Sequence, residues 1–274
     1  MAKTNLVIGS DGFIGTPFTS FLEHKGEKVI RFDVKRGESE DARFAKLPLR
    51  AVDAVYFLAW DVGGSKYLYE PKLQKNQLDW NLQLMKNVFD QLEETKKPFL
   101  FVSSQLCEET DTVYGVTKSL GEVWTNLIGG VSVRVWNAYG HMEEKNIKSH
   151  VISDFIYQAL ETGKITMMTD GEEWRQFTHI DDLSNAFWMA VNTKVLRRSV
   201  YDASSYEWIR IRDIAEMIAA ETGATVIFGD KKGHDPKPAA NMGRIPGWLP
   251  TVNIREGIMS MIRETRKRIR NEKR

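Results

Sequence analysis

Asn5-Leu-Val-Ile8-Gly9-Ser10-Asp11-Gly12-Phe13-Ile14-Gly15 decides the fold. A short apolar run with the character of a buried strand ends in a glycine loop, and the loop opens a helical pattern. Glycines at this spacing allow a tight turn, close approach of the backbone to a pyrophosphate, and close packing of helix on strand. The helix N-terminus adds free N–H donors and a positive dipole. A lone glycine motif is a weak signal, but here a strand precedes it and a helix follows. Asp33 closes the second apolar run, 18 residues after Gly15. A carboxylate there suits an adenosine ribose diol and repels a 2′-phosphate, which favours NAD over NADP. Lys35 and Arg36 soften that preference, since either can pair with a phosphate. The plainer alternative is an ordinary turn with Asp33 capping a loop.

Outward from this unit, strand-like runs recur at Lys28–Phe32, Ala54–Leu58, Phe99–Ser103 and Val131–Val135. Between them lie helical patterns, one with Leu78, Leu82, Met85, Phe89 and Leu92 on a stripe, another with Leu120, Val123, Trp124 and Leu127. Alternation of this kind predicts parallel strands joined by right-handed crossovers, a doubly wound α/β sheet of Rossmann-like form. Beyond residue 140 the spacing predicts a polar loop over Gly140–Lys148, helices over Val151–Thr162, Asp182–Val191 and Ile211–Thr222, and strands at Ile165–Met168 and Val200–Ala203. The Gly/Pro-rich stretch Gly229–Pro250 is expected to wrap over a ligand or the domain surface. The final helix ends in a basic tail that reads as a frayed, solvated end.

Composition adds bounds. The 274 residues suffice for one large α/β unit or two small domains. A net charge of +1 gives no reason to expect nucleic acid or an anionic membrane as partner. One cysteine, Cys107, excludes an internal disulfide and fits a reducing cytoplasm. No run is long enough for a signal-peptide core or a membrane span, so a soluble cytoplasmic protein is expected, with no metal.

Tyr114-Gly-Val-Thr-Lys118 places a phenol and an ammonium four residues apart on one helix face. The lysine charge, with the positive ring of an oxidised nicotinamide, lowers the phenol pKa so that it can take a proton from a hydroxyl as hydride leaves the same carbon. The pair alone is common. Ser103 and Ser104 precede it at the carboxyl end of a buried strand, where doubly wound sheets hold their ligands. They read as substrate-facing hydroxyls or as simple strand-end caps.

Taken in order, Gly9-x-x-Gly12-x-x-Gly15, Asp33, Asp53-Ala-Val-Tyr-Phe-Leu58-Ala59, Asn81, Ser103-Ser104, Tyr114-x-x-x-Lys118, Arg134-Val-Trp-Asn137-Ala-Tyr139-Gly140 and Arg175-Gln-Phe-Thr-His-Ile-Asp181-Asp182 span nearly the whole chain. In this set the chain resembles the extended short-chain dehydrogenase/reductase family, the NAD-dependent sugar-nucleotide epimerases and dehydratases. The resemblance implies Ser104, Tyr114 and Lys118 as the catalytic triad. It implies that Gly9, Asp11, Gly12, Phe13, Ile14 and Gly15 hold the NAD phosphates and Asp33 its ribose. Leu58, Ala59, Trp60, Asn76, Ser103 and Asn137, with Tyr114 and Lys118, complete the cofactor site. Asn81 is then a brace, and Arg175 a clamp on a nucleotide diphosphate or else part of an ordinary ion pair. A smaller C-terminal α/β lobe for substrate is implied, built from residues 141–180 and 204–274, with residues 1–140 as the NAD domain and 181–203 packing back onto it. A homodimer through the helices around residues 78–94 and 114–128 is implied too, where Trp80 and Trp124 are contact or core residues.

The resemblance also narrows the chemistry. Dehydratases of the family carry Asp-Glu after the catalytic hydroxyl, but here Gln105 and Leu106 stand there, which argues against dehydration. Asp61-Val-Gly63-Gly64-Ser65 is similar to a loop of enzymes acting on GDP-sugars, and paired glycines let backbone N–H groups approach a sugar or phosphate. Gln105, Asn137 and His150 join Gly63, Gly64, Ser104 and Arg175 as expected substrate contacts. His150 otherwise reads as a cap or surface residue, and Cys107, one position later than the relatives' acid–base cysteine, as a buried inert thiol. Nine residues separate Ser104 from Tyr114, a shorter cover than the family's. The expected activity is epimerase or dehydrogenase chemistry on a GDP-, UDP- or dTDP-linked sugar through a keto-sugar. The alternatives are an NAD(P)H-dependent keto-sugar reductase and a non-catalytic NAD-binding sensor or scaffold.

Overall fold

The computed structural model describes residues 2–141, 148–193, 199–233 and 243–272. β1 (Thr4–Ile8), α1 (Gly15–His24), β2 (Lys28–Phe32) and β3 (Ala54–Phe57) begin a parallel sheet, in which Ile8 lies opposite Phe32 on one side and Phe57 on the other. The short α2 (Ser65–Leu68) and long α3 (Gln74–Thr95) lead to β4 (Phe99–Ser104), and α4 (Val113–Ile128) leads to β5 (Val131–Val135). The chain then makes β6 (Ala138–Tyr139), α5 (Val151–Thr162), β7 (Lys164–Thr166), β8 (Trp174–Arg175), β9 (Thr178–His179) and α6 (Ile180–Asn192). β10 (Ser199–Ala203) returns to the sheet, followed by β11 (Ile209–Arg210), α7 (Ile211–Thr222), β12 (Thr225–Ile227) and α8 (Ile254–Glu272).

The main sheet runs β10-β5-β4-β3-β1-β2, all parallel, so the strand order reverses between β1 and β3. Such a reversal opens a crevice at the carboxyl ends of the strands. Alternate residues of β1 serve opposite faces. Leu6 and Ile8 pack with Met85, Val88, Phe89 and Leu92 of α3, whereas Val7 packs with Phe18 and Leu22 of α1 and Phe187 of α6. Helices on both faces account for the continuous burial of β3, β4 and β5. This is the Rossmann-like α/β sheet that the sequence predicts. A separate core joins α5, α7 and α8 through Ile156, Ile165, Phe177, Ile214, Ile218 and Met261.

Three local expectations change. On α4 the stripe Leu120, Val123 and Leu127 faces outward, with Leu127 71% exposed, and the inward face is Tyr114, Thr117, Lys118, Gly121, Glu122 and Thr125. The sheet-facing side has no room for bulk: a Cβ on Gly121 would lie 2.4 Å from the Phe101 ring. The strand expected at Ile165–Met168 runs over Lys164–Thr166, because there it can pair with β12. Of the stretch 229–250, residues 234–242 fall outside the described residues, as do 142–147 of the polar loop and 273–274 of the tail. The described remainder covers the domain surface: Ile245 and Trp248 are buried, and the Trp248 indole donates to the Asp182 carbonyl at 3.2 Å. As far as Glu272 the basic tail is helix, with Arg268 donating to the Tyr157 hydroxyl at 2.7 Å. Among the described residues no helix is long and apolar enough to cross a membrane.

Candidate active site

The glycine loop is built for close contact. Gly9 takes φ +89°, and a Cβ there would lie 2.5 Å from the Ala59 nitrogen, so the loop rests on the exit of β3. A Cβ on Gly15 would lie 1.9 Å from the Gly9 carbonyl oxygen, so α1 begins against the loop. A Cβ on Gly12 would meet only the Gly9 oxygen, at 3.3 Å, leaving that peptide open to the cleft. The Asp11 amide donates to one Asp33 carboxylate oxygen at 3.0 Å and the Lys35 amide to the other at 2.9 Å, which fixes the acid at the end of β2. Lys35 turns its ammonium onto the Asp11 carbonyl at 3.0 Å, and Arg36 pairs with the carboxylates of Asp11 and Glu40, both at 3.4 Å. The two cations that softened the NAD preference are thus engaged with the protein's own groups.

A cleft of about 720 Å³ runs along the carboxyl ends of the strands. Gly9, Asp11, Gly12, Phe13, Ile14, Gly15, Asp33, Leu58, Ala59 and Trp60 line it, as do Ser103, Ser104, Gln105, Tyr114, Lys118, Asn137, Gly63, Gly64, His150 and Arg175. Asn76 does not. It stands exposed one turn before Trp80, and Trp80 and Leu84 are the α3 residues that reach the cleft. The glycine cradle at one end, with a buried acid at the tip of β2, fits a dinucleotide whose diphosphate lies on the α1 N-terminus.

Tyr114 enters from the first turn of α4, which Thr112 caps by accepting from the Gly115 amide at 3.0 Å. The Ser104 hydroxyl donates to Gln105 Oε1 at 3.2 Å and lies near enough to the Tyr114 phenol to favour its ionised form. Burial pushes the phenol pKa up to about 12, Ser104 acting in the opposite direction. The sequence expectation that Lys118 lowers this pKa meets a competing fact. Lys118 donates to the Val102 carbonyl at 2.6 Å and lies 3.9 Å over the Trp60 ring centroid, but 5.8 Å from that of Tyr114. Its own pKa is held well below the ordinary lysine value by burial, with Glu122 opposing. Desolvation outweighs charge for both groups.

Ser103 borders the cleft, but its hydroxyl points away from it. Like Phe101 before it, it faces α4, and donates to Glu122 at 2.5 Å. Arg134 of β5 donates to the same carboxylate through Nε at 2.8 Å and Nη2 at 2.9 Å, and through Nη1 to Glu108 at 2.9 Å. Cys107 is buried beside this network, and burial followed by Glu122 raises its thiol pKa to about 12. It does not line the cleft, which supports the inert reading. Asn81 acts as the brace: its side chain accepts from the Asp61 amide at 2.9 Å and donates to the Asp61 carbonyl at 3.3 Å. Asn137 commits its amide N–H to the Gln176 carbonyl at 2.8 Å.

Gly63 and Gly64 line the cleft and also receive a neighbouring segment of the chain. Their missing side chains admit residues 148–150: a Cβ on Gly64 would lie 2.4 Å from the Ser149 carbonyl oxygen, and the Gly64 amide donates to the Lys148 carbonyl at 2.9 Å. Lys148 pairs with Asp61 at 2.6 Å, and His150 stacks on Phe13 of the glycine loop at 5.7 Å between centroids. His141 meets the same ring at 4.6 Å. This segment therefore straps the glycine loop to the turn after β3. Sequence reading missed Lys148, His141, Tyr69 and Glu109, and also Arg43, which lines the cleft 3.4 Å over Trp80 while paired with Asp41. No local spacing signals these residues, because each reaches the cleft through contacts distant in sequence.

A model of the NAD dependent epimerase/dehydratase family matches residues 5–201. The chain is 23% identical to UDP-glucuronic acid decarboxylase 1 of Arabidopsis thaliana, over 97% of this chain and 71% of that protein. It is 24% identical to a putative UDP-glucose 4-epimerase of Methanocaldococcus jannaschii, over 54% of this chain and 52% of that one. Among solved structures it is similar to MoeE5 in complex with UDP-glucose and NAD, with TM-score 0.80 and 18% identity over 98% and 100% of the two chains. UDP-glucose 4-epimerase of Thermotoga maritima with UDP-glucose gives TM-score 0.78 and 19% identity over 97% and 99%. At these identities the structural likeness establishes the shared fold. The matched segment holds the glycine loop, Ser104 on β4 and the strand ends at Asp33 and Asn137, and the chain belongs to the NAD dependent epimerase/dehydratase family, an NAD-dependent enzyme.

Proposed function

We propose that this chain epimerises a nucleotide-activated sugar by oxidising one sugar carbon to a ketone and reducing it again. The observation that carries this reading is Ser104, Tyr114 and Lys118 brought together on the cleft, with Gln105 and Leu106 where an eliminating enzyme needs carboxylates. When bound, NAD supplies the hydride acceptor and donor. Tyr114 takes the hydroxyl proton as the carbon is oxidised and returns it on reduction. Ser104 polarises the reacting oxygen, and Lys118 steadies the phenolate and holds the cofactor ribose. Gln105 offers an amide and Leu106 a hydrocarbon, so neither can remove a proton from carbon. Phe13, His141 and His150 close the glycine-loop end, and Arg175 clamps the substrate diphosphate. The lobe of residues 141–180 and 204–274 serves as the substrate side of the cleft.

Tyr114→Phe tests the assignment: turnover is lost while NAD affinity stays near that of the parent, and retained turnover overturns it. Net consumption of added NADH with a keto-sugar would instead identify a reductase, since an epimerase returns its hydride.

The outward stripe of α4, with Val116, Leu120, Val123 and Leu127 exposed beside Leu82 of α3, supports a homodimer through these helices. Trp80 and Trp124 favour the core alternative. Trp80 stacks under Arg43, and Trp124 packs on Phe89 at 5.4 Å.

A further inference from the structure

Glu109 sits in the connection between β4 and α4, two strands along the sheet from the glycine loop. That connection is pressed onto α4. A Cβ on Gly115 would lie 2.1 Å from the Glu109 carbonyl oxygen and 2.5 Å from that of Leu106. The Thr112 hydroxyl donates to the same Glu109 carbonyl at 3.2 Å. The backbone that carries Glu109 is thereby fixed against the residue after Tyr114. Its carboxylate lines the cleft and accepts from the Tyr69 hydroxyl at 3.0 Å. Tyr69 follows α2 in the connection between β3 and α3, which packs on Tyr114 and Leu106, so the bond ties two neighbouring connections together at the substrate end. Arg175 reaches the same place: its charge acts on the Tyr69 phenol against the effects of burial, Glu109 and Asp111, which together hold that pKa up to about 12.

We propose that Glu109, held at the cleft by Tyr69, selects nucleotide-sugars whose sugar is neutral or amino-substituted and rejects those carrying a carboxylate. The inference rests on the nucleotide-sugar reading above. A carboxylate accepts hydrogen bonds from sugar hydroxyls or an amine, and it repels a uronate brought beside it. Arg175 does not cancel this effect, because one guanidinium cannot serve a substrate diphosphate, Glu109 and a uronate together. The shortened β4–α4 connection then has a role of its own, bringing an acid to the sugar where a longer loop would lie.

The test uses the full-length, NAD-loaded protein in calorimetric titrations. Free UDP, GDP and dTDP come first. If none binds, the nucleotide-sugar reading fails and this proposal falls with it. The neutral and uronic sugars of the nucleotide that binds are then compared, UDP-glucose against UDP-glucuronic acid for UDP. The neutral sugar is expected to bind at least about tenfold more tightly, and Glu109→Gln to shrink that ratio about tenfold. The ratio is insensitive to a general loss of fold or affinity, which moves both ligands alike. Equal affinities in the parent protein, or a ratio unchanged by E109Q, overturn the proposal.

Discussion

The Lys118 ammonium lies 3.9 Å over the centroid of the Trp60 ring, inside a fully buried pocket whose nearest oxygen is the Val102 carbonyl. A cation held this way is stabilised by the ring face and one carbonyl, and still loses most of its hydration. Two pH effects on stability follow, with opposite signs.

Burial holds the Lys118 pKa well below its ordinary 10.5, so between those two values the unfolded chain binds more protons than the folded one. Folding stability therefore rises with pH across that window. Lys118→Met should flatten the rise, measured as urea stability of cofactor-free protein from neutral pH upward. The same variant should melt no lower than the parent at neutral pH while losing turnover, because replacing a desolvated charge by an apolar group is often neutral or stabilising. Parallel pH slopes for both proteins would refute the assignment.

Tyr114 works the other way. Burial raises its pKa from 10.0 to about 12, so the folded protein holds more protons in that interval and loses stability as pH climbs through it. Tyr114→Phe should retain more of its stability between those pH values than the parent does, in the same denaturation series. A greater loss in the variant would contradict it.

Arg134 saturates the buried Glu122 carboxylate with two N–H bonds. Arg134→Met strips that carboxylate of its paired cation and leaves it the Ser103 hydroxyl, the Cys107 thiol and the more distant Lys118, at a cost of about 3–5 kcal/mol. Equilibrium denaturation reads this directly. A loss below about 1 kcal/mol would mean that water or rearrangement replaces the arginine. Alkylation of Cys107 in the same protein should quicken as the fold weakens, since its inertness comes from burial.

Gly64→Ala puts a methyl group 2.4 Å from the Ser149 carbonyl oxygen, which is backbone and cannot rotate away. The strap of residues 148–150 must lift from the turn after β3, costing about 1–3 kcal/mol. Faster release of NAD, followed by fluorescence on dilution, is the expected sign, because His150 moves off Phe13 with the strap. An unchanged release rate would show that the strap does not hold the cofactor end.

Val123→Glu places a charge in the middle of the outward α4 stripe, at a position 56% exposed. Sedimentation should then report a shift from dimer to monomer. A parent protein that is monomeric at micromolar concentration would remove the basis for that expectation.

The sequence by itself determined the strands of the sheet, the glycine loop, Asp33 and the Tyr114–Lys118 spacing. Each is a local pattern: a buried run, a turn that tolerates only glycine, or two residues one helical turn apart. The tertiary structure decided the rest. It turned the apolar stripe of α4 outward, sent Ser103 to Glu122, left Asn76 in solvent, and packed the strap on Gly63 and Gly64. It also decided the electrostatics of the catalytic pair. Local spacing put an ammonium beside a phenol, but how far each is desolvated depends on Trp60, Val102 and Phe101, which arrive from other strands, and for both groups that desolvation is the larger effect.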